Sequence, residues 1–439
     1  MMSDMTEPQA RALLTKVLGM SRADTCQVNI GGGNNGNIRY ARNTVSTAGE
    51  TSGTTIAVTS SFGRRTGSAT GNEFDDAALE RVVRRAEELA RLAPESPEWL
   101  EPIGPQTYLR TPGHHASTAG ITPEFRAKVA ADSILPAKER GCVAAGYFSD
   151  NAGWNASMNS KGNFLYDRRT GVNFSLTART EDEQGSGYVT RDYNDVSQFH
   201  SADSAAIAIE KAIASRVTRA IEPGRYTVVL EPTAVSDFIG NVLGGFNARN
   251  AMEGRSWLSR PGGQTRLGEK MVDDRVTLYT DPMHPEVPAS PAGNDGLPRR
   301  RMTFIENGVV SALNYDRFWA QRQGVEPVPG AGNMIMTGGA GSLDDLIRDT
   351  TRGILVTRFW YIRSVDPQTL LLTGLTRDGT FYIENGRIQY AIKNFRFNES
   401  PIIMLNNIDA MGTPVRQNGR LLPPIRARDF TFTSLSDAV

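Results

Sequence analysis

Histidine and cysteine, which bind transition metals and serve as bases or nucleophiles, are scarce in this sequence of 439 residues. The imidazoles and thiols of the whole chain are those of His114, His115, His200, His284, Cys26 and Cys142. Zinc sites in proteins need three or four histidine, cysteine or carboxylate ligands. Because only His284 offers an imidazole after residue 230 and no thiol follows residue 142, the residues argue against a zinc hydrolase site in the C-terminal half.

Motifs that position a nucleophile or a phosphate are absent or incomplete. The sequence contains no HExxH, GxSxG or P-loop pattern. Residues 31–36 match GxGxxG, but the next segment alternates like a strand and lacks the helix that a dinucleotide site requires, so we predict a flexible hairpin. The pair His114-His115 is predicted to lie in a surface loop, because neighbouring side chains of an extended chain point in different directions.

Charged clusters give no specific site either. Asp344-Asp345 falls in the first turn of a predicted helix, where the helix dipole favours acids, and the spacing of Asp273-Asp274 assigns no role. The basic runs 64–65 and 299–301 lack interleaved aromatic residues and are interpreted as solvated strand edges. With 48 basic and 48 acidic residues the formal charge is zero, which argues against a broad surface for nucleic acid or anionic lipid.

Composition predicts a folded protein of a reducing compartment. Hydrophobic residues make up 39%, enough for a sizeable core, and two cysteines are too few for a disulfide scaffold. The charged residues within the first 20 positions favour an amphipathic helix over a signal peptide, and no apolar run approaches the roughly 18 residues of a membrane span. We therefore predict a soluble, cytoplasmic protein.

The elements predict an α+β fold with a small N-terminal α/β unit, a middle strand–helix segment and a large C-terminal mixed β domain with a few helices. Helices are expected from Asp75 to before Pro94 and from Pro123 to about Ile134, a buried strand at 226–230, and Asn-Gly hairpins at 305–308 and 383–386. The predicted divisions are an N-terminal domain 1–95, a proline-rich linker 96–121, a middle domain 122–222 and a β-rich domain 223–439.

The order of several segments resembles the TldD/PmbA family, whose members are called modulators of DNA gyrase and regarded as metallopeptidases. The matching segments are 70–97, 222–235, 256–282, 305–308, 374–379 and 383–386. In TldD-type members a zinc-binding HExxxH helix follows the strand that corresponds to 226–230. Here the two histidine positions hold Glu231 and Ser236, the general-base position holds Pro232, and no cysteine follows near the C-terminus. The chain is therefore similar to the zinc-less TldE (PmbA) branch.

This resemblance implies a non-catalytic subunit of a heterodimeric metalloprotease that degrades or processes unfolded peptides. No cofactor is expected in this chain, and zinc is expected in a TldD-type partner subunit. Asp295, Gly296, Gly338 and Gly339 are candidates for a substrate groove. Neither nucleic acid nor a membrane is expected as a partner.

Two other functions stay open. One is a partner-free homodimer of the same family that binds peptides or regulates without cleavage. The other is a hydrolase that uses a metal held by carboxylates such as Asp273, Asp274 or Asp295, which would make this chain an enzyme by itself. The sequence alone does not decide whether the chain has activity.

Overall fold

The computed structural model describes residues 4–436. The first 193 residues supply one antiparallel sheet with the strand order β3–β2–β1–β4–β5–β6. Its strands are β1 Thr25–Ala41, β2 Thr44–Phe62, β3 Arg65–Gly71, β4 Cys142–Asn159, β5 Phe164–Thr180 and β6 Ser186–Tyr193. The accompanying helices are α1 Glu7–Gly19, α2 Asp76–Leu92, α3 Ala116–Ala119, α4 Pro123–Glu139 and α5 Ser201–Ala214.

One face of this six-stranded sheet is apolar and lies against helices. Alternate residues of β1, among them Val28, Ile30 and Tyr40, are buried, and they join side chains of α1, α2, α4 and α5 in two hydrophobic clusters. The period of two is what a strand with one buried face requires. Helix α2 begins at Asp75, whose side chain accepts a hydrogen bond from the Ala78 backbone N–H, and it ends before Pro94 as predicted.

Two local predictions for this region were wrong. Residues 31–36 do not form a hairpin: they lie within β1, and the turn to β2 comes at Arg42 and Asn43, which have φ of 50° and 56°. Helix α4 continues beyond Ile134 to residue 139, because the buried Ala137 extends its apolar face past Pro136. The proposed division between segments 1–95 and 122–222 stays a prediction, and both segments contribute strands to the one sheet.

The remaining strands belong to three further sheets. They are β7 Thr218–Arg219, β8 Gly224–Leu230, β9 Ser259–Arg260, β10 Gln264–Thr265, β11 Leu278–Thr280, β12 Met302–Glu306, β13 Val309–Val310, β14 Met334–Met336, β15 Arg352–Asp366, β16 Leu371–Glu384, β17 Arg387–Ile392, β18 Asn394–Glu399, β19 Ile408–Met411, β20 Val415–Gln417, β21 Arg420–Leu422 and β22 Ile425–Ser436. The helices are α6 Pro232–Ile239, α7 Ala248–Met252, α8 Arg317–Gln323, α9 Leu343–Arg348 and α10 Pro401–Asn406. Short 3-10 segments lie at Val196–Gln198, Gly240–Phe246 and Pro261–Gly263.

Five of these strands close into a ring that holds the largest core. The order is β15–β8–β22–β18–β16, and β16 pairs back to β15; β17 and β7 extend the sheet beyond β16. A second sheet has the order β13–β12–β11–β14–β21–β20, and β9 pairs with β10. Helix α6 packs on β15 and β22. The centre of the Phe238 ring lies 5.3 Å from that of Phe359 on β15 and 5.7 Å from that of Phe430 on β22. The predicted α+β fold is confirmed.

Both predicted Asn-Gly hairpins are present. Asn307 and Gly308 have φ of 47° and 81°, and Asn385 and Gly386 have φ of 49° and 73°, the left-handed pair that such a turn requires. Within residues 4–436, none of the helices combines the length and apolar character needed to cross a bilayer.

Candidate functional site

The three positions that the family resemblance assigns to a zinc motif, 231, 232 and 236, lie at the cap of helix α6 and within it. Strand β8 ends at Leu230, Glu231 caps the helix in an extended conformation, and Pro232 occupies the first helical position. Proline suits that position because its fixed φ matches the helix and its missing N–H needs no partner there. The backbone of Glu231 is fixed on both sides, since its N–H donates to Val356 O and its carbonyl accepts from Val235 N.

The carboxylate of Glu231 forms an ion pair with a lysine side chain. Its side chain is buried, Lys211 Nζ on helix α5 donates to Oε2 at 2.5 Å, and Thr357 Oγ1 donates to Oε1 at 3.2 Å. A buried carboxylate is stable when an opposite charge and further hydrogen bonds compensate for its lost hydration. The ion pair with Lys211 therefore joins helix α5, which packs on the six-stranded sheet, to helix α6, which we call the motif helix.

Ser236 is held by a second cation. Arg420 Nη1 donates to Ser236 Oγ at 2.9 Å and to the Ser236 carbonyl at 3.3 Å, while Ser236 Oγ donates to Gln417 O at 3.3 Å. Burial lowers the pKa of Arg420, and the nearby Asp237 and Asp192 carboxylates oppose that shift. A side chain at Gly240 would meet the same guanidinium, because its Cβ would lie 2.9 Å from Arg420 Nη2.

Asp237, which the motif comparison did not single out, lies next to these residues. The Phe359 N–H donates to its Oδ2 at 3.2 Å. Burial raises the pKa of Asp237 to about 7, against the opposing influence of the Arg358 charge, the Phe359 hydrogen bond and the Arg420 charge. The signal available in the sequence was the single charged residue within the helix 232–239.

Arg358 and Asp378 extend this polar cluster to the six-stranded sheet. Arg358 Nη1 lies 3.2 Å from Asp378 Oδ2, and Ser186 Oγ of β6 donates to Asp378 Oδ1 at 2.5 Å. The Arg358 guanidinium stacks 3.9 Å from the centre of the Tyr188 ring, and its buried Nε has no hydrogen-bond partner among the described residues. Sequence reasoning missed these four residues, which come from three separate strands.

The residues of this site do not fit a zinc ion. The oxygen donors at the two histidine positions already bind an ammonium and a guanidinium, and fixed positive charges beside them oppose a divalent cation. Across residues 4–436, no group of three or more histidine, cysteine, aspartate or glutamate side chains is arranged to hold a metal. Both thiols are buried, and burial raises the pKa of Cys26 and of Cys142, which keeps them protonated.

Two histidines and the paired carboxylates contact residues close to them. His115 Nδ1 lies 3.6 Å from Asp195 Oδ2, and His284 Nδ1 accepts from the Glu286 N–H at 3.3 Å. The three carboxylates considered for a hydrolase that acts without a partner subunit bind neighbouring residues. Asp273 accepts a hydrogen bond from the Arg275 N–H, Asp274 forms an ion pair with Lys270, and Asp295 accepts from the Leu297 N–H. Asp345 closes a capping box with Ser342 at the start of α9.

The four groove candidates lie in two different environments. Asp295 and Gly296 line a cavity of about 250 Å³ between the polar face of the six-stranded sheet and the segment 99–103, and Tyr108 donates to Gly296 O at 2.7 Å. Gly338 and Gly339 are exposed and do not line that cavity. Their backbone packs so closely on residues 411–412 that an added Cβ would lie 2.4 Å or less from a carbonyl oxygen.

Sequence comparison identifies all three domains of one family in this chain. The models of domain 1, the central domain and the C-terminal domain of the PmbA/TldA metallopeptidases match residues 27–90, 123–217 and 223–434. A metalloprotease of Methanothermobacter thermautotrophicus is 26% identical over 286 residues, which span 60% of this chain and 60% of that protein. The metalloprotease PmbA of Escherichia coli O157:H7 is 20% identical over 385 residues, covering 83% of this chain and 82% of that one.

Solved structures share the fold over nearly the full length. TldE from Thermococcus kodakarensis superposes with a TM-score of 0.86 at 17% identity, covering 97% of this chain and 99% of that chain. A proposed modulator of DNA gyrase from Bacteroides thetaiotaomicron gives a TM-score of 0.85 at 20% identity and covers 98% and 100%. At these identities the structures establish the fold alone. The three matched domains show that the chain belongs to the PmbA/TldD metallopeptidase family.

Proposed function

We propose that this chain is the non-catalytic subunit of a TldD/TldE-type heterodimeric metalloprotease that degrades or processes unfolded peptides. The observation that carries the proposal is that two side chains of the motif helix and its cap bind cationic side chains of this protein. Glu231 is paired with Lys211 and Ser236 with Arg420, so the family framework is retained while its metal positions are filled by protein cations. A framework kept without its ligands fits a supporting role in catalysis better than a catalytic one.

The division of labour follows from this arrangement. Zinc in a TldD-type partner would supply the activated water that attacks the peptide carbonyl. The residues of this chain would bind the substrate and hold it extended, through backbone groups of strand edges. Recognition through the peptide backbone accounts for a preference for unfolded chains, because a folded protein has already used those groups internally.

Similarity to named relatives supports the proposal without deciding the partner. A metalloprotease TldD homolog of Buchnera aphidicola is 25% identical over 292 residues, and TldE of Thermococcus kodakarensis shares the fold. Both a TldD-type partner and a second copy of this chain are compatible with a dimeric assembly. A cytoplasmic location is proposed with it, from the composition and the scarcity of cysteine.

The test is native mass spectrometry of the protein isolated from its own cells, with the metal content measured on the same sample. We expect a heterodimer containing one zinc per complex, with the zinc retained by a partner that carries HExxxH. As a control, the chain produced alone should bind no stoichiometric zinc and cleave no unfolded peptide. A metal-free homodimer in the cells would overturn the proposal in favour of a partner-free peptide-binding protein. Zinc-dependent cleavage by the chain alone would also contradict it.

A further inference from the structure

Strand β2 has one free edge over about half its length. Strand β1 pairs with β2 from residue 44 to residue 61, whereas β3 pairs only with residues 56–62. Within residues 4–436, no strand pairs with the outer side of the segment 44–53, which we call the free edge. All ten of its residues are exposed. Alternate residues of a strand direct their N–H and C=O groups to opposite sides, so half of the backbone groups in the free edge point away from β1.

The free edge has little of the usual protection against strand pairing beyond an irregularity at Ser46, where the register with β1 shifts by one residue. Exposed edges of natural sheets carry lysine, proline or inward-pointing charges that block another strand. Here the sequence is TVSTAGETSG, in which Glu50 is the one charged residue and neither lysine nor proline occurs. The remaining side chains are small or carry a hydroxyl group, apart from Val45, so an incoming strand meets little steric resistance.

The free edge is also held in place. Arg126 on helix α4 donates from Nε and Nη2 to both oxygens of Asp150, at 2.6 and 2.9 Å, and from Nη1 to Glu50 at 2.9 Å. Glu50, Gly36 and Asp150 are opposite one another on β2, β1 and β4. The guanidinium lies over Gly36, where a Cβ would come 1.9 Å from Nη2. The glycine-rich segment of β1 therefore gives Arg126 the room to fix β2.

We propose that the free edge of β2 binds an extended peptide as an additional strand, mainly through backbone hydrogen bonds. This inference rests on the proposed function and names the element of this chain that holds the unfolded substrate. Binding to a fixed edge costs less conformational entropy than binding to a mobile one, because the fixed edge is already ordered. Ten residues at roughly 3.3 Å each correspond to about 33 Å of peptide.

A peptide fits the free edge better than a folded partner does. Stable protein interfaces depend on buried aromatic, arginine or other large anchor residues. None of the side chains at 44–53 is aromatic or basic, so the surface has little with which to select one folded partner. Backbone pairing tolerates many side chains on the peptide, and the single carboxylate, Glu50, is already paired with Arg126.

Hydrogen exchange locates the binding. The probe is an acetylated and amidated 12-residue peptide of alanine, serine, valine and lysine, added to the full chain. We expect at least about five-fold slower exchange for the outward-directed amides of 44–53, and no change at 56–62, where β3 already pairs with β2. The same peptide methylated at alternate backbone nitrogens should give no protection. Equal protection by both peptides, or none at 44–53, would overturn the proposal. Protection that needs only higher protein concentration would instead indicate pairing between copies.

Adjacent proline variants test the backbone groups themselves. Thr51 and Ser52 oppose Asn35 and Asn34 in regular register, so Thr51→Pro and Ser52→Pro remove one N–H toward β1 and one away from it. The variant that keeps the wild-type melting temperature is the one that lost the outward N–H, and its peptide affinity should fall at least about five-fold. Thr51→Val and Ser52→Val, which change only side chains, should bind as the wild type does. Unchanged affinity in the stable proline variant would contradict the proposal.

Failure of this inference can be separated from failure of the proposed function. If the zinc-containing heterodimer exists but peptides do not protect 44–53, the free edge is not the binding element and the subunit assignment stands. If peptides protect 44–53 but no zinc-bearing partner is found, the edge binds peptides and the protease assignment fails.

Discussion

Arginines stabilise carboxylates in two regions of this molecule, with different results. In the six-stranded sheet, the Arg126 guanidinium contacts Asp150 through two hydrogen bonds and Glu50 through a third. At the motif helix, Arg358 and Arg420 lie near Asp237, but their closest partners are Asp378 and Ser236.

The two regions also differ in the pKa of their charged groups. The hydrogen bond to Asp150 raises the pKa of Arg126. Asp237 receives its described hydrogen bond from a neutral backbone N–H, and burial raises its pKa to about 7. The comparison shows that nearby positive charge does not offset burial at Asp237, whose described hydrogen bond comes from a backbone N–H and whose pKa is raised.

Removing the contact in the six-stranded sheet should have the largest effect. Arg126→Ala leaves the buried Asp150 without its cation, and we expect the free energy of unfolding to fall by about 3–5 kcal/mol. Urea denaturation followed by circular dichroism measures the change. The control is Arg140→Ala at the end of the same helix, whose partner Glu210 is exposed and whose loss should cost no more than about 1 kcal/mol. Equal losses in the two variants would show that the buried pair of Arg126 with Asp150 stabilises the fold no more than the exposed pair of Arg140 with Glu210.

The Asp237 carboxyl should make stability depend on pH. Its folded-state pKa is raised from 3.8 to about 7, so between these values the folded state holds a proton that the unfolded state has released. Stability contributed by this group is therefore present below about pH 4 and is lost as the pH rises to 7. Asp237→Asn removes that loss, and its stability relative to the wild type should increase by about 2–4 kcal/mol from pH 4 to pH 8. A difference that is constant with pH, measured by urea denaturation at each pH, would contradict the assignment.

A smaller effect should report the close approach of Arg126 to β1. Gly36→Ala places a Cβ 1.9 Å from the guanidinium, and we expect a loss of about 1–3 kcal/mol in the free energy of unfolding. Gly49→Ala on the neighbouring strand is the matched control, because the nearest atom to its Cβ would be 4.0 Å away. In the Arg126→Ala background the cost of Gly36→Ala should largely disappear, which a double-mutant cycle measures. Additive losses would mean that the two residues do not interact.

Local signals in the sequence were sufficient where the structure depends on neighbours along the chain. The Asn-Gly turns fixed two hairpins, since their left-handed conformation is a property of those two residues. Helix α2 was predicted to start near Asp75 and to end before Pro94, because its periodicity and its flanking residues are local features. The prediction for the glycines at 31–36 was wrong because their role is not local. Gly36 lies within a strand, and its missing side chain leaves room for the guanidinium of Arg126, 90 residues later in the sequence.

The sequence by itself determined that His284 is the one histidine after residue 230 and that no cysteine follows residue 142, because such absences are visible without coordinates. It also determined the α+β class, the extent of helix α2 and the two Asn-Gly turns through periodicity and turn chemistry. Only the tertiary structure decided what fills the motif positions. Lys211 and Arg420 reach Glu231 and Ser236 from other elements, and the free edge of β2 exists because β3 ends where it does. Such contacts depend on strand order and on the packing of distant segments, which no local pattern in one sequence specifies.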